Sequence, residues 1–261
     1  MNRRRQVSSD PTALKPGDVE LEMGVPIPGV IVPQDCWTRT ALKQLPSEGP
    51  LKFEDLFQRS APIAIDIGCG NGRFTISSAV RRPDWDHLGV DILPAVIRYA
   101  TRRGNQRALN NVRFAVCDGW RLLSDLIPDA SVDEFHIYHP QPYFSADDVS
   151  KRMLHPQFLV LLHQRLKATG KIFLQTDRKA YWQYIQKSFR SLFEWTEQTE
   201  PWSEDPWGRS RREMLSQQQG LAIFRGVASK RNSLTNEEAS SIAESMAPPA
   251  FAVQGSRRRR Q

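Results

Sequence analysis

From Pro62 onward, short apolar runs alternate with stretches whose apolar residues recur at helical spacing, a rhythm that predicts βαβ units and a parallel sheet. Strands are expected near Ile63–Ile67, His87–Ile92, Val112–Asp118, Glu134–His139 and Lys171–Thr176, each bounded by Gly, Asp or Pro. In Pro156–Leu166 the residues Phe158, Leu159, Leu161, Leu162 and Leu166 make one buried helical face, with Gly170 as the expected stop. Tyr181–Phe193 repeats the pattern, and Phe193–Thr199 with Gly220–Ser229 predicts a closing antiparallel pair. The expected fold is therefore α/β, with a doubly wound, mostly parallel seven-stranded sheet.

The flanks carry weaker patterns. Residues 1–50 read as a partly disordered N-terminal extension: residues 1–35 are rich in Pro, Gly and charge and are expected to be mostly unstructured or draped over the core, and Trp37–Phe57 shows only short helix-like patches. Residues 51–231 form the domain. Residues 232–261 are polar and then basic, and read as a disordered tail with at most a short helix, for which Thr235 and Glu238 offer a capping box. The formal net charge of +7 equals the seven arginines Arg3–Arg5 and Arg257–Arg260, so residues 6–256 sum to zero. Those tips suit either solvated ends or sequence-independent phosphate attraction. Cys36, Cys69 and Cys117 are far apart and form no CxxC pair, which argues against zinc and against a disulfide scaffold. With no apolar run of membrane-spanning length, a cytoplasmic protein without membrane or metal partners is expected.

Candidate chemistry begins at Asp66-Ile67-Gly68-Cys69-Gly70-Asn71-Gly72, which follows a predicted strand and opens a helix. Glycines there let the backbone turn tightly and approach a nucleotide-like ligand, although a generic tight turn asks for the same residues. The dinucleotide fingerprint GxGxxG needs glycine at position 73, which is Arg73. An acid at the strand end with the third glycine one residue early resembles motif I of the class I S-adenosylmethionine (SAM) dependent methyltransferases. Asp91 closes the second strand 19 residues after Gly72, where a carboxylate reaches ribose hydroxyls. Asp118 ends the third strand at the family position beside adenine. The resemblance implies a class I, Rossmann-like sheet and a SAM site made by Asp66, Gly68, Gly70, Asp91, Asp118 and Gln141.

From Leu51 to about Ala228 the chain is similar to the bacterial-type tRNA (guanine-N7)-methyltransferase family. The similarity rests on the lead-in Pro50–Phe57, on Lys151-Arg152-Met153-Leu154-His155-Pro156-Gln157-Phe158-Leu159, and on Thr176-Asp177 with Tyr181. It implies a tRNA partner and methyl transfer to guanine N7, with Gln141 at the catalytic position and Asp177, Ser210 and Glu213 facing the target base. The chain departs from the family at the reaction centre. Pro140-Gln141-Pro142-Tyr143 stands where PDPW is expected, and Phe144–Ser150 is net negative where the family is basic. Guanine N7 uses an in-plane lone pair and loses no proton, so positioning and charge stabilisation matter more than a base. Glutamine supplies no charge, a loss worth about a hundredfold in rate, so reduced or redirected activity is expected. The rival readings are a methyltransferase with a changed substrate and a non-catalytic SAM- or RNA-binding relative. His136 and His139, at i and i+3 of a predicted strand, favour packing or loop roles over a metal site, and Trp195, Trp202 and Trp207 favour packing over base stacking.

Overall fold

The computed structural model describes residues 14–251 apart from 48, 144 and 206, together with 7–8. The arginine tips on which the phosphate-attraction reading rests lie outside the described residues. Seven strands form one sheet: β1 (Ile63–Ile67), β2 (Asp86–Asp91), β3 (Val112–Val116), β4 (Val132–Tyr138), β5 (Leu166–Thr176), β6 (Phe193–Gln198) and β7 (Phe224–Lys230). Their order is β3-β2-β1-β4-β5-β7-β6, parallel through β5, with β7 antiparallel to both of its neighbours. The order reverses between β1 and β4, so a crevice opens beyond their carboxyl ends.

Helices α1 (Arg73–Arg81), α2 (Pro94–Gln106), α3 (Pro156–Arg165), α4 (Lys179–Leu192), α5 (Arg211–Gln218) and α6 (Asn236–Glu244) flank the sheet. Every residue of β1 is buried, as expected for a central strand covered on both faces. The main core joins Ile65, Leu88, Phe135, Leu159, Leu174 and Phe189 across the sheet and its helices.

Two expectations need correction. Gly170 does not stop α3: the helix ends at Arg165, and Leu166 already pairs with Val132 in β5. Leu166 is fully buried, and the ladder then skips to Glu134 opposite Lys171. Gly170 serves this irregularity, because a Cβ there would lie 2.6 Å from Leu166 Cδ1. The segment from 232, expected as a disordered tail, does carry the short helix that Thr235 and Glu238 suggested: α6 opens on their capping box, but it is packed on the domain and buries Ala239 and Ala243 against the core. The N-terminal extension is draped over the core, where buried Glu20 pairs with Arg103 and Arg107.

Candidate functional site

A cavity of about 850 Å³ lies at the carboxyl ends of β1 to β4 and is lined by Ile67 and Gly68 at the start of the glycine turn, the loops after β2 and β3, and Tyr138–Gln141. Gly68 and Gly70 have φ of 81° and 54°, and a Cβ on either would meet nothing within 4 Å. Their conformation selects glycine, and the space beside them is open to a ligand. Gly72 is different, because a Cβ there would press within 2.8 Å of the Ala100 Cβ, so it lets α1 approach α2.

The three acids do different things. Asp91 accepts the amides of Gly70 (3.0 Å) and Leu93 (2.9 Å), locking the glycine turn to the end of β2 while its carboxylate borders the cavity. Asp118 accepts the amides of Trp120 and Arg121 through Oδ1, which caps the turn after β3, and the residue is exposed at the cavity lining. Ile92, Leu93 and Trp120 are each about half exposed beside these acids, an apolar rim of the kind that planar ligands cover. Asp66 does not line the cavity. It is sealed beneath the turn, accepts the Thr75 hydroxyl at 2.6 Å, and burial pushes its carboxyl up to about 7.

Gln141 stands exposed at the other end of the cavity, held between buried Pro140 and Pro142. Both flanks are fixed by partners distant in sequence. His139, at φ 52°, lines the cavity and is braced by Gln175 and Asp177. Gln175 Oε1 accepts from Trp202 Nε1 and Arg225 Nε, so its amide nitrogen must donate to His139 Nε2. His139 Nδ1 then donates to Asp177, which defines a neutral tautomer. On the other flank, Arg152 Nε donates to Pro142 O at 2.6 Å and its Nη2 to Tyr143 O at 2.8 Å. Its Nη1 donates to the carbonyls of Pro249 and Phe251, and its guanidinium lies 4.0 Å over the Phe251 ring. Sequence reasoning assigned neither His139 nor Arg152 this bracing role; the Thr176-Asp177 motif was the available signal for the first.

Asp177, Ser210 and Glu213 do not line the cavity. The Asp177 side chain is buried under His139, Arg212 and Ser216, and its carboxyl is held well below the ordinary range by hydrogen bonds from His139 and Arg212 that outweigh burial. Ser210 caps α5 by accepting the Glu213 amide, and buried Glu213 accepts from the Arg209 amide and from Arg225. Nor are Arg152 and Arg209 available as phosphate contacts. Arg209 is buried among Phe74, Tyr138, Phe173 and Trp202 and pairs with Glu204. Trp202 is thus a core residue, while Trp207 is exposed. His136 stacks on Phe173 within the sheet's packing. Among the described residues, no group of three or more His, Cys, Asp or Glu is placed to hold a metal, and no helix is long and apolar enough to cross a membrane.

A sequence profile described as "Putative methyltransferase" matches residues 60–225. The tRNA (guanine-N(7)-)-methyltransferase of Saccharophagus degradans is 30% identical over 54% of this chain and 61% of its own length. That of Thermus thermophilus is 34% identical over 52% of this chain and 43% of its own length. That of Salmonella typhimurium is 27% identical over 69% of this chain and 76% of its own. The alignments with the first two thus span less than two thirds of those relatives. Among solved structures, a 16S rRNA methyltransferase, KamB, superimposes with a TM-score of 0.52 at 13% identity, covering 74% of this chain and 98% of that one. This likeness shows the class I methyltransferase fold.

Proposed function

Because this chain belongs to the methyltransferase family whose profile it matches over residues 60–225, we propose that it transfers a methyl group from SAM to N7 of a guanosine in tRNA. The observation that carries the reading is the single cavity joining an open glycine turn and two rim carboxylates at one end to Gln141 at the other.

The residues present fit SAM. Gly68 and Gly70 leave room beside the turn and would admit the methionine portion, the Asp91 carboxylate retains lone pairs that would accept two ribose hydroxyls, and Asp118 would hold the adenine. Ile92, Leu93 and Trp120 would cover the faces of the ring. Asp66 acts from below, holding α1 to the turn through Thr75. When bound, the cofactor supplies an electrophilic methyl on a sulfonium, which attack by the guanine lone pair transfers without loss of a proton.

The protein's part is then orientation and water exclusion. Gln141 offers a hydrogen bond to the guanine edge from a backbone fixed on both sides. Asp177, through His139, and Arg152 position that backbone; Ser210 and Glu213 act at one remove, since they hold α5, whose Arg212 and Ser216 pair with Asp177. Gln141 cannot offset the positive charge developing on the purine, so turnover is expected to be slow.

Unmodified tRNA incubated with labelled SAM, followed by identification of the methylated nucleoside, tests the reading. The expected product is 7-methylguanosine, formed about a hundredfold faster by Gln141→Asp, with SAM affinity little changed. A different methylated nucleoside would point to a changed substrate. No product from either variant despite tight SAM binding would leave a non-catalytic relative.

A further inference from the structure

We propose that the groove between residues 37–45, α2 and the edge strand β3 is a second RNA-binding site, which holds a looped segment of the substrate beside the methyl-transfer cavity. The proposal rests on the RNA methyltransferase reading above and adds a surface to it. The groove encloses about 670 Å³. Lys43, Arg98, Arg102 and Arg121 line it, and among the described residues no acidic one does. Residues 6–256 sum to zero charge, so this gathering of basic side chains is a local imbalance rather than a reflection of overall basicity. Lys43, Arg98 and Arg121 are exposed.

The floor between these cations is apolar. Leu42, Leu45 and Ile97 contribute to it, and Val116 is left 44% exposed. Trp37 forms one wall, its ring held by donation from Nε1 to Val32 O at 3.1 Å. The wall itself is fixed to the sheet, because the Phe114 amide donates to Thr40 O and the Leu42 amide to Phe114 O, both at 2.8 Å. A ligand suited to this surface combines regularly spaced negative charge with planar faces, which is the chemistry of unpaired nucleotides. An apolar peptide would leave the cations unused.

Position gives the site its purpose. Leu93, Cys117 and Trp120 line the cofactor cavity, while their chain neighbours Pro94, Val116 and Arg121 line the groove. The two depressions therefore meet along one ridge, and RNA seated in the groove is carried to the rim of the cavity.

The test uses the full chain with Lys43→Glu and Arg98→Glu combined, and Lys43→Arg with Arg98→Lys as the charge-conserving control. Filter binding of unmodified tRNA across salt concentrations gives affinity and salt slope, and calorimetry gives SAM affinity. The reversal is expected to weaken tRNA binding about tenfold or more and to lower the slope of log K against log salt by about two. SAM binding should stay at the wild-type level, and the control should behave as wild type. Wild-type tRNA affinity and slope in the charge-reversed protein would overturn the proposal. So would intact tRNA binding with loss only of a polyglutamate peptide, which would assign the groove to an acidic protein. If the wild-type protein neither binds nor methylates tRNA, the RNA reading itself fails and the groove assignment with it.

Discussion

Asp66 places a titration near neutrality inside the folded chain, because burial raises its carboxyl from 3.8 to about 7. Between those values the folded state keeps a proton that the unfolded chain has lost, so this residue lowers stability as pH rises through the window and contributes no further change above it. Asp66→Asn, which can still accept the Thr75 hydroxyl, should remove that slope. In urea denaturation from about pH 4 to 7, wild-type stability is expected to decline relative to the variant, by about 1.4 kcal/mol for each unit of pH well inside the window. Parallel curves would show that the site titrates elsewhere. The tight turn at Gly68 and Gly70 and the strand-end places of Asp91 and Asp118 were legible in the sequence because they are local features. The roles of Ser210 and Glu213 were misplaced, although Ser210-Arg211-Arg212-Glu213 also spells a helix cap, which is what the pair forms. Arg152 was the least legible: two of its four carbonyl partners lie 97 and 99 residues away, so its burial depends on the completed fold.

Among the elements, the five parallel strands were readable because each is a short apolar run between turn residues, and the shift at β5 was not, because Leu166 extends the apolar face of α3 in sequence while serving the sheet in space. The capping box announced α6, but the polar composition of the C-terminal segment conceals two buried alanines and an aromatic contact from Phe251 to Tyr181. Through Arg152, that segment reaches the Pro142–Tyr143 loop. Removing residues 247–261 deletes the Pro249 and Phe251 acceptors and should let the loop move. The expected result is a fall in kcat of up to about a hundredfold with little change in KM for SAM, and faster amide exchange at Gln141 and Tyr143. Unchanged exchange in the loop would show that Pro140, Pro142 and His139 suffice to hold it.

At the scale of the molecule, the N-terminal extension is bound by charge buried with it. Glu20 bridges Arg103 at 2.8 Å and Arg107 at 3.1 Å, and all three side chains are nearly inaccessible to water. Glu22 adds a hydrogen bond from Asn71, within the glycine turn itself. Glu20→Ala would strand two guanidinium groups in the interior, and a loss of about 3–5 kcal/mol in urea denaturation is expected, with a smaller loss for Glu20→Gln. A loss below about 1 kcal/mol would mean that water reaches the arginines once the carboxylate is gone. The sequence suggested draping but not its partners, which lie more than 80 residues along the chain. The bridge from Thr40 and Leu42 to Phe114 has a further consequence. It occupies backbone groups that a bordering strand would otherwise offer to a neighbouring molecule, and the opposite border, β6, is short and studded with exposed Glu194 and Glu197. The sheet is therefore protected on one side by its own chain and on the other by charge against the strand-by-strand growth that leads to aggregates.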